Sequence, residues 1–299
     1  MKNTFKNWSR EHSLKRINGD VVSYVDTEIG DETILFLHDF GTNSFSFYKQ
    51  LEALRDDYRV IIPDLIGFGF SDKPRNYYYS ILDQAQMIVK LLEQLEVKNL
   101  SVVSQGYGTS VLCEILSKMQ CIECKKLNIN ISEITLLNGS LAIEMSKTKS
   151  SEDIINHDIN TKFNQIAYSY QIFQKNFKMV LNQPTEVTDE EIEVFWNLMS
   201  INRGQRYLQF VDYSILERKQ FANRWINALE KADARIQVLW GDNDRLSHKF
   251  FAKKLNELIP DSKLHMVENC GHFPSLESPE VVSNLIKETI NNRVQYFYL

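Results

Sequence analysis

The chain is short of glycine and proline. Its 299 residues include only 11 glycines and 6 prolines, against average usage of roughly 7% and 5%. That excludes collagen-like and low-complexity readings. Cysteine is equally sparse: Cys113, Cys121, Cys124 and Cys270 are too few to staple a chain of this size. Reduced thiols in a cytoplasmic protein are therefore the expectation. Cys121-x-x-Cys124 has no second pair at ligand spacing and reads as a surface helix-to-loop segment, not a zinc or redox site. No apolar run reaches the roughly 18 residues of a membrane span. The first residues are basic but have no apolar stretch behind them, so no secretory signal is predicted. Nor is there an excess of positive charge. Lysine and arginine number 34 against 39 acidic residues, for a net charge of -5 and a pI of about 5.8. This argues against a nucleic-acid partner.

What remains is an ordinary soluble balance, 43% hydrophobic and 24% charged, with mean hydropathy -0.32. Six short β-branched runs stand out: Thr33–His38, Arg59–Asp64, Leu100–Ser104, Glu133–Gly139, Ile236–Gly241 and Lys263–Glu268. They are continuous, not alternating, as strands covered on both faces of a parallel sheet are. Ser13–Glu28 precedes them and reads as a hairpin turning at Asn18-Gly19. Helical stripes separate the runs. Ile81, Ala85, Ile88, Leu92 and Leu95 form one, Phe251, Leu255 and Leu258 another, and Ser278-Pro279 opens a last helix.

The alternation stops between about Ser140 and Ala232. Helical patterns over 166–181 and 188–199 fill this stretch, the second opening on a Thr188/Glu191 capping box. The predicted organisation is an α/β core made of residues 1–139 and 232–299. A helical cap over 140–231 is inserted after the sixth strand. Ligands of open α/β sheets bind at the carboxyl ends of the strands, where such a cap would enclose a pocket.

Motifs collect at those strand ends. They are Leu37-His38-Asp39-Phe40-Gly41, the segment Pro63 to Pro74 (PDLIGFGFSDKP), Ser104-Gln105-Gly106-Tyr107-Gly108, Trp240-Gly241-Asp242-Asn243-Asp244 and Gly271-His272-Phe273-Pro274. Eight of the scarce glycines fall at these strand ends: Gly41, Gly67, Gly69, Gly106, Gly108, Gly139, Gly241 and Gly271. Sharp turns and close backbone approach are expected where glycine is retained.

In this order the motifs resemble the α/β-hydrolase superfamily. Within it they look most like the epoxide-hydrolase and haloalkane-dehalogenase branch, helped by Tyr79-Ser80-Ile81 and by Tyr213, Arg218-Lys219 and Arg224-Trp225 in the cap. The resemblance implies a mostly parallel eight-stranded sheet flanked by helices, and a small apolar ester, epoxide or haloalkane as substrate. It implies no cofactor and no metal. His272 matches the base and Asp244 the acid that orients it, with Asp242 the alternative acid. Phe40 and Tyr107 match the oxyanion-hole residues. Asp39, Tyr213 and Trp196 are expected at the substrate pocket, and the cap tyrosines Tyr168, Tyr170 and Tyr207 are further candidates for polarising an epoxide oxygen.

Two positions depart from the pattern. Gly106 stands where the family carries its nucleophile, and glycine has no reactive atom. Ser104 is an alternative nucleophile, but it lies inside the strand, away from the tight turn. Asp39 replaces the glycine of the family's H-G-x-P loop. It reads either as a loop carboxylate turned to solvent or to a polar neighbour, or as a carboxylate standing in for the lost nucleophile. The chain is accordingly read as a hydrolase with weak or altered activity, or as a non-catalytic protein binding a ligand or partner on the same scaffold.

Overall fold

A computed structural model describes residues 5–75, 77–122, 127–139, 169–206 and 213–297. Helix α1 (Phe5–Arg10) leads into the hairpin β1 (His12–Ile17) and β2 (Asp20–Asp26). Its turn uses left-handed backbone at Asn18 and Gly19, as an Asn-Gly turn does. Then come β3 (Thr33–Leu37), α2 (Tyr48–Leu54), β4 (Arg59–Pro63), α3 (Ile81–Gln94), β5 (Asn99–Gln105), α4 (Tyr107–Met119) and β6 (Asn130–Leu137). The described helices between β6 and the next strand include α5 (Tyr170–Val180), α6 (Asp189–Ser200) and α7 (Tyr213–Glu230). The chain closes with β7 (Arg235–Gly241), α8 (Phe250–Leu258), β8 (Lys263–Val267), the short α9 (Pro274–Glu277) and α10 (Pro279–Phe297).

The strands form one sheet in the order β1-β2-β4-β3-β5-β6-β7-β8, antiparallel at the hairpin and parallel from β4 onward. This is the expected α/β-hydrolase fold. The continuous apolar runs are buried throughout β3, most of β5 and β7, and the second half of β6, because helices cover both faces. The capping box at Thr188 and Glu191 is present. The sequence's helix over 166–181 is described from Tyr170 onward; residues 166–168 lie outside the described residues, as do Cys124 and Tyr207.

One register in this sheet matters for function. On the adjacent parallel strands β3 and β5, Leu37 pairs with Ser104. Asp39 and Gly106 each lie two residues beyond that pair, so the two loops leave the sheet side by side.

The expectation of reduced thiols needs a correction. Cys113 and Cys270 are free and buried, but Cys121 is disulfide-bonded. A thiol on the polar surface segment after α4 is open to oxidation, whereas one packed inside is not.

The insertion docks on the core through α4 and α7. Buried Glu114 accepts from Trp225 Nε1 at 3.0 Å and pairs with Arg224. Arg224 Nε reaches Ser117 Oγ at 2.8 Å, and Gln120 Nε2 reaches the Ala228 carbonyl at 2.8 Å. Removing the Glu114 carboxylate strands the Trp225 N–H, whose side chain is fully buried. Glu114→Ala is expected to destabilise the protein by about 2 kcal/mol. Urea unfolding measures the loss, and earlier proteolytic cutting around α7 would locate it.

Candidate active site

Strand β5 ends at Gln105 and α4 begins at Tyr107, leaving Gly106 as a one-residue elbow at φ 47°, ψ -107°. This left-handed backbone is easy for glycine. A side chain here would project into the space above the strand ends, but that space is taken. A Cβ built on Gly106 would overlap the Asp39 carboxylate. The carboxylate reaches across from the neighbouring loop and sits where an elbow side chain would sit.

Each oxygen of Asp39 is held. Oδ1 accepts from the backbone N–H of Phe40 at 2.7 Å and of Tyr107 at 2.6 Å. These are the two donors that the sequence marks as an oxyanion hole. Oδ2 lies 3.0 Å from His272 Nε2. On the other side of the ring, His272 Nδ1 lies 2.8 Å from Asp244 Oδ2. Asp244 Oδ1 is tied in turn to the backbone N–H of Leu246 and Ser247, at 2.7 and 2.9 Å. All three side chains are buried.

The charges follow from this geometry. Burial pushes the His272 imidazolium toward losing its proton, but the charges and hydrogen bonds of Asp244 and Asp39 outweigh it and raise the pKa to about 10. Burial likewise pushes the Asp39 carboxyl upward. The His272 hydrogen bond and charge, the Tyr107 N–H and the nearby Arg218 guanidinium outweigh that and hold it below the ordinary carboxylate value. At neutral pH the site is a carboxylate–imidazolium–carboxylate row.

Several residues to which the motifs assigned no role hold this row in place. Asn138, just past β6, donates to Asp244 Oδ2 at 2.6 Å and accepts from Gly241 N–H at 2.9 Å. Gln105 Nε2 donates to the His272 carbonyl at 2.8 Å. Glu277 accepts from the N–H groups of Gly271, Asn182 and Gln183 at 3.0, 2.7 and 3.0 Å, which joins the histidine loop to the chain leaving α5. His272 N–H donates to the Val180 carbonyl at 3.0 Å. Phe177 stacks on Phe273 at 5.3 Å, and Phe273 stands edge-on to the imidazole at 4.9 Å. An Asn at a strand end and a Glu in a short helix carry no motif; only the sheet order brings them here.

The remaining candidates have definite places. Ser104 Oγ is bonded to Thr109 Oγ1 at 3.0 Å inside β5, out of line with the histidine. Asp242 accepts from Cys270 N–H at 3.3 Å and does not meet the imidazole. His38 Nε2 accepts from Leu65 N–H at 3.1 Å, so its Nδ1–H points to the Asp39 carbonyl at 2.8 Å and braces that loop. Trp196 packs on Tyr170 and Phe173 within the insertion. Tyr213 opens α7, and its side chain lies outside the described residues. Phe40, Phe68 and Tyr107 form an aromatic cluster beside Asp39. Among the described residues no group of three His, Cys, Asp or Glu side chains is arranged to hold a metal ion, and no helix is long and apolar enough to cross a membrane.

Comparison with known proteins agrees with this architecture. The model of the alpha/beta hydrolase fold family matches residues 32–279. The mesoderm-specific transcript protein of Mus musculus is 27% identical over 267 residues, 87% of this chain and 79% of that protein. The uncharacterized hydrolase YugF of Bacillus subtilis is 25% identical over 272 residues, 87% of this chain and 90% of the other. Among solved structures, epoxide hydrolase CorEH without ligand superposes with a TM-score of 0.75 at 19% identity, covering 94% of this chain and 98% of that one.

The raised pKa of His272 has a consequence for stability. Its folded value of about 10 exceeds the ordinary 6.5. The stabilisation is therefore complete below about 6.5 and is lost as pH rises through about 10. Wild type is expected to be more stable than His272→Gln by a few kcal/mol at neutral pH, with the gap shrinking as pH rises from about 6.5 and lost above about pH 10. Urea melts of both proteins across this range check it.

Proposed function

The chain belongs to the alpha/beta hydrolase fold family, and from that premise we propose that it hydrolyses small apolar electrophiles with the Asp39 carboxylate as nucleophile. The observation that carries this reading is the position of that carboxylate. One oxygen lies in the oxyanion hole, the other lies against His272, and both stand where the side chain absent from Gly106 would be.

The two oxygens have different roles. Oδ1 takes two backbone N–H groups, whereas Oδ2 takes only His272 and keeps the freer lone pairs. Oδ2 attacks carbon, the bond to the leaving group breaks, and its electron pair departs with that group. Asp39 becomes an ester and loses its charge. That removes one of the two carboxylates holding the His272 proton, so the imidazolium gives it up and becomes a base. Water then attacks Asp39 Cγ while His272 Nε2 takes its proton. The negative charge of the tetrahedral intermediate falls on Oδ1, between the N–H groups of Phe40 and Tyr107. Collapse releases the alcohol and restores the Asp39–His272 pair. For a haloalkane the net yield is alcohol, halide and a proton. For an epoxide the proton given up by His272 balances the one taken by the opened ring oxygen.

This chemistry favours alkyl electrophiles over esters. A carboxylate attacking an ester must expel an alkoxide, a far poorer leaving group than itself. The aromatic cluster of Phe40, Phe68 and Tyr107 and the Phe177–Phe273 stack suit a small apolar substrate, with the helical insertion as a cap above it. A second reading rests on the same geometry. The Asp39 carboxylate could plug the oxyanion hole of a protein that only binds its ligand or partner.

Turnover of limiting 1-bromobutane or 1,2-epoxybutane in ¹⁸O-labelled water separates the two. The nucleophile reading expects ¹⁸O in the Asp39 peptide by mass spectrometry and a rate at least about 10³-fold lower in Asp39→Ala. Turnover that leaves Asp39 unlabelled, or that survives Asp39→Ala, overturns it. Failure of both substrates to react or to label Asp39 also overturns it and favours the binding reading. In addition, Gly106→Asp combined with Asp39→Gly moves the carboxylate back to the elbow. This variant is expected to regain activity that Asp39→Gly alone lacks.

A further inference from the structure

Resting on that reading, we propose that Arg218 of α7 is a catalytic residue that receives the leaving group as it becomes an anion, whether halide or opened-ring oxygen.

The placement comes from helix register. Helices α4 and α7 are tied at Glu114 to Trp225 and at Gln120 to Ala228, so they run in the same direction. Tyr107 precedes Glu114 by seven residues, and Arg218 precedes Trp225 by seven. Each interval is about two helical turns. Arg218 therefore lies level with Tyr107 at the start of α4, the residue whose N–H holds the Asp39 carboxylate. The neighbouring Glu217 pins this part of α7, with Oε1 accepting from Ser80 Oγ at 2.5 Å and Oε2 from Ile81 N–H at 2.7 Å. The Arg218 guanidinium is close enough to the Asp39 carboxylate and the Tyr107 phenol to favour the ionised form of both.

Arg218 keeps one donor unused. Its Nε is buried with no hydrogen-bond partner among the described residues. The Asp39 oxygens are already bonded to Phe40, Tyr107 and His272. A buried N–H donor without an acceptor is costly, so an acceptor supplied by the substrate would fit at Nε.

Charge balance points to what that acceptor is. Before reaction Asp39 and Asp244 carry two negative charges, and His272 and Arg218 carry two positive ones. When Asp39 Oδ2 bonds to carbon, its charge passes to the leaving group. The site then holds one positive charge too many until His272 gives up its proton, and over that interval the anion beside Arg218 balances it. The guanidinium N–H donates a hydrogen bond to the departing halide without giving up a proton. It holds an epoxide oxygen in the same way until that oxygen is protonated. The anion thus replaces the Asp39 carboxylate as the counter-charge of Arg218.

Asp39→Asn reproduces the charge of the esterified state and can be tested without turnover. Bromide titrated by tryptophan fluorescence or calorimetry is expected to bind this variant at least about tenfold more tightly than wild type. Asp39→Asn/Arg218→Met should lose the gain, and Asp39→Asn/Arg218→Lys should keep part of it. Thermal melts of each variant confirm that it is folded. Equal bromide affinity in wild type and Asp39→Asn overturns the inference, as does a gain that survives Arg218→Met. Failure of the nucleophile reading shows separately, as absence of ¹⁸O at Asp39. Where Asp39 does label, Arg218→Met should slow 1-chlorobutane more than 1-iodobutane, because the poorer leaving group depends more on the donor. Equal slowing of both overturns the role of Arg218 at the leaving group.

Discussion

Two carboxylates share one imidazolium at the carboxyl ends of the strands, and the site is organised around that row. Each member is buried, and none would be tolerable there alone, because an unpaired charge out of water is heavily penalised. Asp39 is ionised because His272 is charged, and His272 is charged because both carboxylates flank it. The surrounding polar groups make sense as supports for this row. Asn138 and Gln105 hold its acid and its histidine backbone, and Glu277 ties the histidine loop to the insertion.

In the proposed mechanism the row also links the reaction to the proton. In the resting state His272 is too basic to activate water. Only when Asp39 is esterified does the imidazole lose a flanking charge and become a competent base. By this logic the site withholds hydrolysis until its covalent intermediate exists. The role proposed for Arg218 extends the same bookkeeping to the leaving group, balancing charge through the step that moves it.

Much of this was legible in the sequence. Continuous β-branched runs gave the parallel strands, the Asn18-Gly19 turn gave the hairpin, and the Thr188/Glu191 pair gave the start of α6. The order of glycine-bearing motifs gave the family. Gly106 and Asp39 were both visible as departures, and a carboxylate standing in for the lost nucleophile was one of the two readings left open for Asp39. No local pattern says where a loop carboxylate points, and that depends on which strands are neighbours. Asn138 and Glu277 were invisible for the same reason, since each acts on chain more than ninety residues away.

The two departures are one feature once the register is known. Leu37 and Ser104 are paired on adjacent parallel strands, and parallel neighbours lie about 4.8 Å apart. Positions two residues past that pair therefore share one small volume. It holds one carboxylate, from either loop, and not two: a Cβ at 106 already overlaps the Asp39 side chain. An acid at 39 thus demands glycine at 106, and glycine at 106 leaves the oxyanion donors and His272 to whatever the β3 loop supplies. A serine or alanine at 39 could not span the gap and bridge the hole to the imidazole. Aspartate has both the reach and two oxygens to divide between them. The elbow's missing atom and the loop's extra charge are thus the same carboxylate, attached one strand over.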